Sequence, residues 1–401
     1  MRSRSNPIIA GMAIVAVLLS GAIAGCAPTA AASRAAQVAW PRVVPIDSAA
    51  PERQYSADRL ATMTLEDKIR SMMMVHIPGL DPGRIASESA ALGAGGVILM
   101  GDNIPSPVDS LAAATQLIKG EAGLPLLVAT DQEGGIVRRI QTDQAPGADE
   151  LRTLPPESSR EAFTARAQLL KSLGVSVNFG IVADVTSDSQ SFIFERTLGS
   201  TAADAAPRVA AAVTGERGLV LSTVKHFPGH GISPGDSHES IPSSSINKDE
   251  WREVHAPPFA AAIEAGVELV MMGHLQLDAV DSQPASLSSA WISILRDELG
   301  FDGIIITDDL LMLERSGRPE FADTVQNSVR AVAAGNSMLL YVGSVDVAAI
   351  VDAIAANVRA GGIPESMIDD AAELLLETRR GLSGKTVPFG YCFAECRDRL
   401  S

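Results

Sequence analysis

A chain of 401 residues, 46% hydrophobic and 4% aromatic, can bury the core of one large domain or of two ordinary ones. Its formal net charge is −16, and no basic face offsets it. That balance excludes nucleic acid as a partner and otherwise speaks only to solubility.

The first 25 residues read as an address and not as part of the fold. Arg2 and Arg4 precede an uncharged apolar run from Pro7 to Ala24. This is the pattern of a secretory signal, too short and wrongly flanked to favour a permanent span. It ends in Ile23-Ala24-Gly25-Cys26, which is similar to a bacterial lipobox, where Cys26 would carry lipid and become the mature N-terminus. An ordinary cleaved signal with an incidental cysteine is the alternative. Lipidation would hold the protein at the outer face of a membrane. Ala27–Ser56, rich in Ala, Pro and Ser, is expected to be a flexible tether, so that residues 26–56 separate anchor from domain.

From about Leu60, short apolar runs alternate with helical patterns. The runs are Ser71–Ile77, Gly96–Met100, Leu124–Thr130, Val175–Asp184, Val220–His226, Glu268–His274, Gly303–Asp308 and Met338–Val342. Such runs, buried on both faces, read as parallel strands. Helices are expected over Ser106–Gly120, Ser158–Leu173, Ala202–Gly215, Lys248–Ala265, Ser288–Leu299 and Thr324–Ala334, with closing helices from Val347 to Gly381. Eight strands in strand–helix alternation imply an α/β fold, a single (β/α)8 barrel over residues 57–385. An open doubly wound sheet is the alternative. In the tail, residues 386–401, Cys392 and Cys396 stand four apart. Export would permit a disulfide between them, two free thiols are the other choice, and two cysteines alone make a poor metal site.

Polar residues gather at the strand ends: Asp131, Asp184, Lys225, His226, His274, Asp308 and Asp309. In a barrel these share one rim, where active sites are built. The richest segment is Lys225-His226-Phe227-Pro228-Gly229-His230-Gly231, continuing to Gly235-Asp236-Ser237-His238. Its glycines and prolines predict a mobile loop. Asp236 and His238, two apart, can point to one side of an extended backbone. A carboxylate beside an imidazole fixes its tautomer and stabilises its protonated form, which suits a general acid/base pair. Zinc ligation by His226, His230 and His238, or a turn capped by Asp236, remains open on spacing alone. Asp308, at the end of Gly303–Asp308, can attack an anomeric carbon. A Mg2+ site or a helix cap is the alternative for the Asp308-Asp309 pair. Asp131-Gln132-Glu133-Gly134-Gly135 offers a carboxylate for sugar hydroxyls and glycines for close approach; a helix start is the alternative.

Together these segments resemble glycoside hydrolase family 3, in its β-N-acetylhexosaminidase branch, as a bacterial lipoprotein member. The strings Asp131-Gln132-Glu133-Gly134-Gly135, Lys225-His226-Phe227-Pro228-Gly229-His230-Gly231, Asp236-Ser237-His238 and Thr307-Asp308-Asp309-Leu310 carry the resemblance. Val177-Asn178-Phe179 with Asp184, Arg196-Thr197-Leu198-Gly199 and Pro284-Ala285-Ser286 add to it. It implies a retaining β-N-acetylglucosaminidase with Asp308 as nucleophile and His238, assisted by Asp236, as acid/base. Asp131, Arg139, Arg196, Lys225 and His226 would hold the sugar. No metal and no organic cofactor are expected. The expected partners are a β-N-acetylglucosaminide or muropeptide substrate and a membrane, reached through the lipid anchor; a monomer is expected. Ile136 departs from the pattern, where Arg usually follows the glycine pair, and Asn336-Ser337 departs from the commoner Ala-Asp. Phosphorolysis by the same residues, a non-catalytic sugar-binding lipoprotein and a metallohydrolase are the competing functions. A wider-family β-glucosidase would commonly carry its acid/base on a second domain.

Overall fold

The computed structural model describes residues 50–384. The expected signal with Cys26, most of the tether, and the tail with Cys392 and Cys396 lie outside the described residues. Eight strands close into a parallel barrel: β1 (Met73–Val75), β2 (Gly96–Ile98), β3 (Leu127–Thr130), β4 (Val177–Val182), β5 (Leu221–Phe227), β6 (Leu269–Met272), β7 (Ile304–Asp309) and β8 (Met338–Tyr341). Each pairs with its successor, and β8 returns to β1 with Leu339 opposite Met73. Interior side chains cover one face of every strand and helices the other. Hence Ile304, Ile305 and Ile306 of β7 are all buried without any polar alternation.

Each expected run overlaps one strand, with β5 and β7 each running one residue past the expected end, and the expected barrel is the fold. The helices differ in detail. The stretch Lys248–Ala265 is two helices, Lys248–Val254 and Ala256–Glu264, meeting at His255. Pro257 and Pro258 fall in the first turn of the second, where a missing N–H is tolerated, but they cannot sit inside a continuous helix. The stretch Ser288–Leu299 is an α-helix, Ser289–Ser293, that widens into a π turn over Ile294–Glu298. Pro82–Leu92, between β1 and β2, was not expected as a helix. Asp81 caps its start through Gly83 N and Arg84 N, and Gly93 ends it at φ 68°. Ala50–Leu60, which overlaps the expected tether, is helical and buries Tyr55 with Leu124 and Leu376.

One packing unit bears directly on the site. The Phe227 ring, at the end of β5, meets Phe259 at 5.2 Å, Trp291 at 5.6 Å and Trp251 at 5.9 Å, all edge to face. Trp251 Nε1 donates to the Pro228 carbonyl at 2.9 Å. The chain therefore leaves the barrel at Pro228 in a fixed direction, and the loop bearing His238 starts from that anchor.

Candidate active site

A cavity of about 420 Å³ opens at the C-terminal rim of the barrel. Its polar lining is Asp131, Glu133, Arg139, Arg196, Lys225, His226, His238, Asp308, Asp309 and Arg315. Its apolar lining includes Ile98, Met100, Val137, Met271, Met312 and Leu340. The rim position follows from topology. Parallel strands all end on one side, so Asp131 just past β3, Lys225 and His226 in β5 and Asp308 in β7 converge although far apart in sequence.

The innermost group is a lattice of buried charges. Lys225 Nζ lies 3.0 Å from Asp131 Oδ1 and 2.7 Å from Glu133 Oε1. Arg139 Nη2 donates to the other Asp131 oxygen at 3.0 Å. Arg196 grips Glu133 with two bonds, Nε at 2.9 Å and Nη2 at 2.8 Å. Burial opposes the charge on Asp131, but Lys225 and Arg139 outweigh it and hold the carboxyl down at about 2. In Glu133, burial is likewise outweighed by Arg196 and Lys225, so its pKa is lowered. Lys225 is raised above its ordinary value: burial disfavours its charge, and Asp131 and Glu133 more than restore it. Asp131 and Glu133 thus stay ionised with little water around them, because each is paired with cations.

Beside this lattice, His226 Nδ1 donates to Asp184 Oδ2 at 2.7 Å, and the His226 backbone N–H reaches Asp184 Oδ1 at 3.1 Å. His226 Nε2 accepts from Arg196 Nη2 at 3.4 Å. Asp184 is driven down to about 2: burial opposes ionisation, and His226 and the His230 N–H overcome it. Asp308 is half-buried and carries a lowered pKa. Burial opposes its charge, while the imidazoles of His226 and His274 and the Asp309 N–H, 2.8 Å away, favour it. Asp309 plays another part. It is buried, accepts from Leu311 N at 3.2 Å and Val342 N at 3.0 Å, and burial raises its pKa. His274 Nε2 donates to the Asp309 carbonyl at 2.9 Å, and burial lowers the pKa of that imidazole.

The remaining pair sits on the loop after β5. His238 Nδ1 donates to Asp236 Oδ1 at 2.6 Å, and the His238 backbone N–H reaches the same oxygen at 2.9 Å. Burial raises the Asp236 pKa, but these two bonds outweigh it and lower it overall. With Nδ1 occupied by Asp236, His238 presents Nε2 to other partners. The His238 side chain is 60% exposed. Among the described residues no three His, Cys, Asp or Glu side chains gather as metal ligands would. His226, His230 and His238 turn instead to Asp184, Ser237 and Asp236.

Residues 64–378 match the glycosyl hydrolase family 3 N terminal domain. The chain belongs to glycosyl hydrolase family 3. It is 32% identical over 387 residues to the Beta-hexosaminidase LpqI of Mycobacterium tuberculosis, covering 91% of this chain and 94% of that one. A relative described as an uncharacterized secreted glycosyl hydrolase, from Arthroderma benhamiae, is 30% identical over 78% of this chain and 92% of its own length. Among solved structures, a glycoside hydrolase family 3 beta-N-acetylglucosaminidase from Paenibacillus sp. superimposes with a TM-score of 0.74 at 32% identity, over 80% of this chain. This chain spans 63% of that longer neighbour.

In this family 3 glycosidase every expected site residue of the described region is found at the rim. Asp308, His238, Asp131, Arg139, Arg196, Lys225 and His226 line one cavity, and Asp236 stands behind His238. Glu133 was missed as a site residue, although it holds both Lys225 and Arg196. Its acidity beside Asp131 was the available signal, but its partners lie 92 residues or fewer down the chain and nothing local names them. Phe192 was also missed, and His230 was named only as a zinc candidate. His230 Nε2 meets Ser237 Oγ at 2.7 Å, and the Phe192 ring lies edge-on to His230 at 4.5 Å and to His238 at 6.5 Å. They brace the loop across its width. Burial holds His230 neutral, with a pKa lowered to about 4. Ile136, where the sequence departs from the family pattern, is 65% exposed at the tip of the Gln132–Arg138 hairpin.

Proposed function

We propose that this β-hexosaminidase removes terminal β-linked N-acetylglucosamine, from peptidoglycan fragments, in two steps that retain the anomeric configuration. The observation that carries this reading is the shared cavity: an ionised strand-end carboxylate, Asp308, and a loop-borne imidazole, His238, line the same space.

In the first step Asp308 attacks the anomeric carbon as the bond to the leaving oxygen breaks. His238 Nε2–H gives that oxygen its proton, and Asp236 stabilises the imidazolium through Nδ1–H. In the second step water attacks the glycosyl ester. His238 takes the water proton, and the Asp308 carboxylate is released. Asp131, Arg139, Arg196, Lys225 and His226 hold the sugar hydroxyls and the N-acetyl group. Their mutual pairing fixes them before substrate arrives, so little reorganisation accompanies the reaction. No step calls for a metal or an organic cofactor.

Export and anchoring belong to the same reading. The apolar segment ending at Cys26 supports secretion with a lipid on that cysteine, which would keep the enzyme beside its cell-wall substrate. Turnover of a chromogenic N-acetylglucosaminide by the wild type and by Asp308→Ala tests the reaction. The wild type should turn over and the variant should not; equal rates would end the assignment. Product analysis on muropeptides against chitobiose then settles the aglycone.

A further inference from the structure

Gln132 is fully buried and uncharged, yet it stands between two carboxylates that line the cavity, Asp131 and Glu133. All of its polar groups are partnered. The backbone N–H donates to Asn178 Oδ1 at 3.1 Å, and the carbonyl accepts from Asn178 Nδ2 at 3.1 Å. The side-chain Oε1 accepts from the backbone N–H groups of Arg139 at 3.0 Å and Ile140 at 2.9 Å. Nε2 donates to the Ile140 carbonyl at 3.1 Å and to Asp143 Oδ2 at 3.0 Å.

These bonds do two things. Asn178 clamps the peptide groups on both sides of Gln132, which sets how Asp131 and Glu133 leave β3. The Gln132 side chain fixes the backbone of Arg139, whose guanidinium meets Asp131. Asn178 is itself oriented, because Nδ2 also donates to Glu216 Oε1 at 2.6 Å. A flipped Asn178 amide would set oxygen against oxygen at the Gln132 carbonyl and N–H against N–H at the Gln132 backbone amide. Gly180 leaves room for the clamp. A Cβ there would collide with the Asn178 amide and the Gln132 carbonyl oxygen, and Gly180 has no left-handed φ that would otherwise call for glycine.

We propose that Gln132 and Asn178 are positioning residues of the glycosidase reaction, setting the separation of Asp131 and Arg139 around the sugar. The inference rests on the proposed function, in which Asp131 and Arg139 hold the sugar. Neither Gln132 nor Asn178 lines the cavity, so both act through the residues they hold.

The test is steady-state kinetics of the full chain on a chromogenic N-acetylglucosaminide. Gln132→Met keeps the side-chain length and removes its four side-chain hydrogen bonds. It should raise KM about tenfold and leave kcat within about twofold. The kcat pH profile should not move, because Asp308, His238 and Asp236 are untouched. A merely structural role would lower the active fraction, and so kcat, at constant KM. Added to Arg139→Ala, Gln132→Met should raise KM no further, since one acts through the other. Gly180→Ala presses on the same clamp without deleting a bond, and it should raise KM in the same way if Gln132→Met fails to fold. Unchanged KM in both variants, while Asp131→Asn and Arg139→Ala raise it, would overturn the inference and leave the sugar-holding role standing. Unchanged KM in Asp131→Asn and Arg139→Ala as well would overturn that role, and the inference with it.

Discussion

Lys225 is 3% exposed and meets two carboxylates, whereas His238 is 60% exposed and meets one. Lys225 belongs to a barrel strand, and its partners Asp131 and Glu133 sit at the start of a hairpin tied down by buried hydrogen bonds. His238 belongs to a loop that is anchored at Pro228 and braced by His230 and Phe192. The difference matches the two tasks. Holding a sugar requires charges fixed in advance, and only paired burial keeps them ionised there. Delivering a proton to a departing aglycone requires access, which burial would deny. Stability and catalysis should therefore separate between the two regions.

The largest effect should come from Asp308→Ala, which removes the nucleophile and should lower kcat by on the order of 10⁴-fold or more. Near-wild-type turnover would remove the chemistry from β7. His238→Ala should cost about 10²–10⁴-fold in kcat on substrates with poor leaving groups. On an activated aryl glycoside, which leaves without a proton, the first step should suffer less. Melting temperature sharpens the contrast. Lys225→Met leaves Asp131 and Glu133 buried with one cation fewer each, and should cost about 3–5 kcal/mol of stability. His238→Ala and Asp236→Asn should leave the melting temperature close to wild type, since their contacts are largely exposed. Equal destabilisation by both sets would break the comparison.

The last test is a pH dependence. Burial lifts the Glu216 carboxyl from its ordinary value of 4.5 to about 8. The unfolded chain gives up that proton first, so this group favours the fold below about pH 4.5, and the advantage is lost as pH rises through 8. Glu216→Gln keeps an acceptor for Asn178 and does not titrate. Its melting temperature should exceed wild type at pH 8, with the gap closing by pH 5. A gap independent of pH would mean that Glu216 is ionised in the fold.

The barrel was legible because its strands are buried on both faces, and continuous runs such as Gly303–Asp308 can be counted without knowing their partners. The helix Pro82–Leu92 escaped because its Ala, Ser and Gly content gives little apolar period. It is set by its caps, Asp81 and Gly93. The break at His255 was written in Pro257-Pro258, whereas the π turn after Ser293 left no local mark. At the site, the strand-end position and the Asp236-Ser237-His238 spacing exposed the titratable groups. Glu133, Asn178 and Glu216 were not legible as a set. Their roles are pairings between separate elements, Asn178 with Glu216 lying 38 residues apart, and sequence distance hides such pairs. What locates them is burial of polar atoms, which must find partners wherever the fold supplies them.

The most direct test is mass spectrometry of the enzyme incubated with an activated fluorinated N-acetylglucosamine analogue and then digested. A glycosyl adduct on the peptide that carries Asp308, absent from Asp308→Ala, is the predicted result. Turnover with no adduct on any carboxylate, or an adduct placed elsewhere, would contradict it.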